Sequence, residues 1–117
     1  MKLLTRLLVT ALAAMLTAYL LPGVHLDGFI TALILAVVLA LLNLLVKPIL
    51  VILTLPVTLF TLGLFLLVIN AIIILLASRL IDGFQVNGFF WALIFSLVLT
   101  LISSIMHSIA GTNRDND

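Results

Sequence analysis

The sequence predicts an all-α, polytopic membrane protein with four transmembrane helices, and three observations predict it. Of its 117 residues, 66% are hydrophobic and 8% charged, whereas soluble domains are nearer half apolar and a quarter charged. Mean hydropathy is +1.55. The apolar residues fall in long runs ended by proline, glycine or basic residues, and one crossing needs about 20 residues. This composition excludes soluble, disordered and coiled-coil classes. A net charge of +1 leaves no footprint for nucleic acid. The absence of cysteine removes disulfides, thiolate catalysis and cysteine-ligated metals.

The first helix is expected over Leu3–Leu21, headed by Lys2 and Arg6 and stopped by Pro22-Gly23. A basic head before an apolar run is also the signature of a secretory signal. Here Tyr19-Leu20-Leu21-Pro22 stands where small cleavage-site residues belong, so the segment reads as an uncleaved helix. The second helix is Phe29–Val46, ended by Lys47-Pro48. From Ile49 to Ser78 the chain is almost continuously apolar, too long for one upright crossing and too short for two. Pro56 divides this run, because its ring lacks a donor and clashes with the preceding turn. A third helix over Val57–Ser78 would be about 33 Å long. The piece Pro48–Leu55 would reach only about 12 Å, a re-entrant or interfacial segment. Thr54, Thr58 and Thr61 share one face near Pro56. They either satisfy backbone groups released there or simply pack. The fourth helix runs from Phe89 to about Ile109.

These segments form a single integral membrane domain over residues 1–110, with a short polar tail at 111–117. Lysine and arginine placement orients it. With four crossings, Lys2, Arg6, Lys47 and Arg114 share one side against Arg79 on the other. Both termini are therefore expected in the cytoplasm. A five-crossing alternative would need Ile49–Phe60 to span.

An internal repeat organises the chain. Leu21–Asn43 overlies Ile81–Ser103 at an offset of sixty residues, with Gly23, Gly28, Phe29 and Ala32 recurring as Gly83, Gly88, Phe89 and Ala92. The chain thus reads as two tandem helical hairpins: repeat 1 at about 3–46, a linker at 47–56, and repeat 2 at about 57–109. The loops Val24–Asp27 and Phe84–Asn87 each alternate apolar and polar residues, a strand-like period. A twofold would let them pair as a small outer ribbon.

The repeat also carries a small-residue stripe. Ala32, Ala36, Ala40 and Asn43 lie on one helix face, matched by Ala92, Ser96, Thr100 and Ser103. In lipid, small residues mark close helix approaches, and Asn, Ser and Thr can bond across them. The two stripes are expected to face each other or a partner chain. Leu35 lies on a neighbouring face, outside that contact. In the first helix, Ala11, Ala14 and Ala18 form a further small face, available to a second copy; a homo-oligomer is expected.

Asn43-Leu44-Leu45-Val46-Lys47-Pro48, Leu53-Thr54-Leu55-Pro56, Thr61-Leu62-Gly63-Leu64-Phe65 and Val68-Ile69-Asn70-Ala71 together resemble the four-transmembrane phage holin family (superfamily IV type), over nearly all of residues 2–109. The resemblance implies a bacterial inner-membrane protein of four helices. Lytic holins oligomerise and permeabilise the membrane for a lytic enzyme. Many relatives of this type are chromosomal, and some are associated with envelope stress. The tail here is short and mixed in charge, unlike the long cationic tail of many lytic holins.

Each ionisable residue then receives a position. Lys47 is either a topology anchor among headgroups, or a partner of Asn43 or of an anionic lipid phosphate. Asn70 is expected to hydrogen-bond across helices. Arg79 and Asp82 are expected to pair at the outer rim. His25 and Asp27 are a solvated loop pair or a pH-sensing one. His107 sits at the interface. No catalytic set, metal site or cofactor site is expected, so the chain is not read as an enzyme. The function classes left open are an envelope-maintenance protein acting through assembly, a holin-like pore former, and a small transporter or lipid-handling protein.

Overall fold

A computed structural model describes residues 2–110, with side-chain surroundings described through Ile109. The polar tail expected at 111–117 lies outside these residues, and Arg114 with it. Six helices and two short strands follow one another: α1 (Lys2–Leu20), β1 (Val24–Leu26), α2 (Gly28–Leu45), α3 (Lys47–Leu53), α4 (Leu55–Phe60), α5 (Phe65–Leu80), β2 (Phe84–Val86) and α6 (Phe89–Ala110). Three segments are long and apolar enough to cross a membrane: Lys2–Leu20, Gly28–Leu53 and Phe89–Ile109. The fourth, α5, has 16 residues, about 24 Å of helix against a hydrocarbon core of about 30 Å.

The longer helices form a ring. α1 packs against α2 and α6, and α5 packs against α6 and, less extensively, α2. Inside the ring sit Leu35, Ile69, Phe84 and Phe95, all essentially inaccessible. Outward positions such as Leu12, Leu16, Ile30 and Leu101 are exposed, as lipid-facing residues must be when the solvent is hydrocarbon.

The third helix departs from the expected Val57–Ser78. The chain breaks between α4 and α5 at residues 61–64. α4 ends in a capping motif in which the Gly63 N–H donates to the Thr58 carbonyl (2.8 Å) and the Leu62 N–H to that of Leu59 (3.1 Å). Such caps satisfy terminal carbonyls through a left-handed residue. Here both Leu62 (φ +56°) and Gly63 (φ +88°) are left-handed. The apolar run hid this break because every residue type around it except Gly63 suits a helix. Pro48 and Pro56 each lie in the first turn of a short helix, α3 and α4, where the missing donor costs nothing.

The threonines bond the backbone, but not at the carbonyl Pro56 leaves free. Thr54 Oγ donates to the Leu50 carbonyl (2.7 Å). Thr61 Oγ donates to that of Val57 (3.0 Å) and accepts from the Phe65 N–H (3.1 Å). The Thr54 N–H donates to the same Leu50 carbonyl (3.1 Å). These hydroxyls stitch helix ends on either side of the proline.

The two loops do pair. β1 and β2 are antiparallel, with Val24 opposite Val86, His25 opposite Gln85 and Leu26 opposite Phe84. Flanking bonds recur at the sixty-residue offset: the Asp27 N–H donates to the Gly83 carbonyl (2.8 Å), the Asn87 N–H to that of Gly23 (2.9 Å). A local twofold through the His25–Gln85 pair relates them.

Candidate interaction site

Small residues let the ring close, and their partners differ from the expected ones. Ala32 and Ala36 pack with Ala11 of α1 in one buried cluster. Ala71, Ala92 and Ser96 are likewise buried, on the neighbouring helices α5 and α6. α2 and α6 are not among the closely packed helix pairs, so their stripes form no direct helix–helix seam, although Asn43 of one and Ser96 and Thr100 of the other border a common cavity. The reason is the ring order, which puts α1 and α5 between them. Ala11 and Ala14 are fully buried within the chain, and Ala18 is half-buried. That face is therefore used internally and is not open to a second copy. Leu35, placed outside the contact by spacing, is fully buried in the main core.

Each stripe is buried near the ribbon and opens away from it. Ala40, Asn43 and Thr100 are exposed and Ser103 is half-buried. Two adjoining cavities occupy this opening. One, of about 230 Å³, is lined by Asn43, Lys47, Asn70, Ser96 and Thr100 among leucines and isoleucines. The other, of about 410 Å³, is lined by Arg6, Thr10, Ala40 and Asn43 together with Leu3, Leu7 and Leu44. Leu39 and Asn43 border both. Pro48 and Pro56 are exposed on the short helices outside these cavities.

Asn70 therefore does not bond across helices. It is half-buried and faces the cavity with no side-chain hydrogen bond among the described residues. The α2–α5 seam is the loosest in the ring, and Leu39, Ile73 and Ile74 line the cavity with Asn70. Lys47 and Asn43 border one cavity without a hydrogen bond between them.

At the ribbon end, Arg79 and Asp82 form no ion pair among the described residues. His25 Nε2 instead contacts Asp27 Oδ1 (2.5 Å), both side chains about two-thirds exposed. Solvation leaves such a pair little energy. At the other end, Arg6 acts electrostatically on His107.

Spacing alone did not disclose how the ribbon glycines work. Gly23 lies directly under the Trp91 indole, and a Cβ at Gly83 would meet Thr31 Cγ2 at 2.9 Å. Thr31 and Trp91 are themselves sixty residues apart. Each glycine thus admits a residue from the helix following the other strand. Pairing residues across the offset would have found this, but only once the ribbon was known to form.

Residues 1–105 match the family described as "Mycobacterial 4 TMS phage holin, superfamily IV". The chain belongs to this family. It is 41% identical over 96 residues, 81% of each chain, to the "Uncharacterized membrane protein YvlD" of Bacillus subtilis (strain 168). It is also 41% identical over 78 residues to the "Uncharacterized protein SCO3922" of Streptomyces coelicolor, covering 63% of this chain and 62% of that one. No solved structure matches the chain. The protein is a small, holin-like membrane protein.

Proposed function

We propose that the protein acts in the bacterial plasma membrane through helix packing and oligomerisation, in envelope maintenance or stress, rather than by catalysis. In this reading it is built as two tandem hairpins, α1–β1–α2 and α5–β2–α6, joined by α3 and α4 as a re-entrant or interfacial linker. Both termini are cytoplasmic, and Lys47 lies among anionic lipid headgroups.

The observation that carries this reading is the filled ring. Phe84 and Phe95, 5.3 Å apart between ring centroids, plug the ribbon end together with Val24, Leu35 and Ile81, all buried. The polar cavities lie toward the other end, a separate opening bordered by Met15, Tyr19 and His25 lies beside the ribbon, and this buried core stands between them. One chain alone thus offers no water path across the bilayer, and a lesion would need a ring of copies. A homodimer is the simplest closed assembly.

The second reading is a holin-like pore former, favoured by the description of the family that the chain matches. Regulated expression with dye uptake separates the two. Growth continuing without dye entry supports the structural role; prompt uptake and arrest at modest expression support the pore. Cysteines placed at Gln85 and Asn113 test orientation, with Gln85 labelling from outside. Labelling of both from one side would overturn the topology.

A further inference from the structure

The cavity between α2, α5 and α6 has a chemistry that the packing role leaves unused. Its five polar side chains, Asn43, Lys47, Asn70, Ser96 and Thr100, make no side-chain hydrogen bond or ion pair among the described residues. Ser96 is the telling one. It is only 6% exposed, and a helical serine ordinarily back-bonds to a carbonyl one turn earlier. Thr17, fully enclosed, does so to Ala13 (2.7 Å), and Ser78 does so to Leu75 (2.8 Å). The Ser96 hydroxyl makes no such bond, and among the described residues no side-chain oxygen or nitrogen is left both sealed and unpaired. What remains accessible of Ser96 therefore opens into the cavity.

The set carries one formal charge, and it is positive. Lys47 brings an ammonium, the two asparagines bring amide N–H donors, and Ser96 and Thr100 bring hydroxyls. Among the described residues the carboxylates are Asp27 and Asp82, both in the turns at the ribbon end. The enclosed Ser96 hydroxyl without a partner costs free energy, and Lys47 at the mouth brings a cation with no counter-charge beside it among the described residues. An anion rich in acceptor oxygens removes that cost. Across Asn43, the adjoining cleft adds the Arg6 guanidinium and the apolar wall of Leu3, Leu7 and Leu44.

We infer that this cavity binds a phosphate group, held by Lys47 and Asn43 at its mouth and by Asn70, Ser96 and Thr100 within. The inference deepens the lipid contact of the proposed function and rests on its membrane placement. The phosphate comes either from an anionic phospholipid, whose chains lie along Leu3, Leu7 and Leu44, or from solution.

The test uses the purified full chain in a neutral detergent and follows its thermal unfolding. It is titrated with phosphatidylglycerol, with phosphatidylcholine, and with inorganic phosphate. Wild type should be stabilised by phosphatidylglycerol or by phosphate beyond the phosphatidylcholine control, and whichever acts names the source. Lys47→Gln should raise the half-saturating concentration about tenfold, the usual consequence of losing one charge-assisted contact. Ser96→Ala, which keeps the fold's volume, should raise it by about threefold through loss of one neutral hydrogen bond. Arg79→Gln, at the ribbon end, should leave it unchanged. An equal loss in Lys47→Gln and Arg79→Gln would reduce the effect to general attraction and overturn the site. So would stabilisation that is indifferent to Lys47 and Ser96. Protomer number, measured on the same samples, reports on the assembly reading separately.

Discussion

The ribbon end and the opposite end of the bundle are built from related residues and come out differently. At the ribbon end, both halves contribute equivalent parts: Gly23 and Gly83 under Trp91 and Thr31, and two flanking hydrogen bonds that repeat within 0.1 Å of each other (2.8 and 2.9 Å). At the far end, α3 and α4 join the halves and have no counterpart. Over their length the α1–α6 pair packs more closely than the α2–α5 pair, its equivalent at the sixty-residue offset, and the latter borders the polar cavity. Similar helices thus pack alike where a ribbon ties them and part where a linker must pass.

The largest expected effect is at the ribbon end. Phe95→Ala empties the space against Phe84 and should cost about 3–5 kcal/mol. Asn70→Leu, at the open end, should be neutral or slightly stabilising, since it removes an unpaired amide. Chemical unfolding in matched detergent compares them, and equal losses would erase the distinction between the two ends.

Next come the close approaches. Gly23→Ala should cost about 1–3 kcal/mol by overpacking against a rigid indole, and Gly83→Ala should cost less, because Thr31 can turn. Trp91→Ala should rescue Gly23→Ala when the two are combined. Additive losses would mean that the indole is not the obstacle. Ala36→Leu should cost a similar amount by forcing α2 from Ala11, readable as a lower unfolding temperature.

The smallest effect belongs to the linker. Leu62 is left-handed and 93% exposed, so Leu62→Gly gives up little packing. It should gain about 1 kcal/mol by removing the Cβ clash. A loss of stability there would mean that the Leu62 side chain is held by something outside the chain.

Much of this architecture was legible in the residues. Composition placed the chain in a membrane, and stop signals such as Pro22-Gly23 bounded α1, α2 and α6 to within a residue or so. The alternation in Val24–Asp27 and Phe84–Asn87 anticipated the ribbon, because a two-residue period speaks of backbone geometry whatever the solvent. Asn43, Lys47, Asn70, Ser96 and Thr100 were singled out by type, since a polar side chain is conspicuous in an apolar run. Their convergence on one cavity was not legible, and neither was the internal burial of Ala11 and Ala14. In water, an amphipathic pattern tells which helix face is inside; in lipid both faces are apolar and the pattern is silent. The sequence by itself determined the solvent, the number of apolar segments and the family. Only the tertiary structure decided the break at Leu62-Gly63, which helices are neighbours and which end opens, because these depend on ring order and capping geometry between residues that lipid does not distinguish.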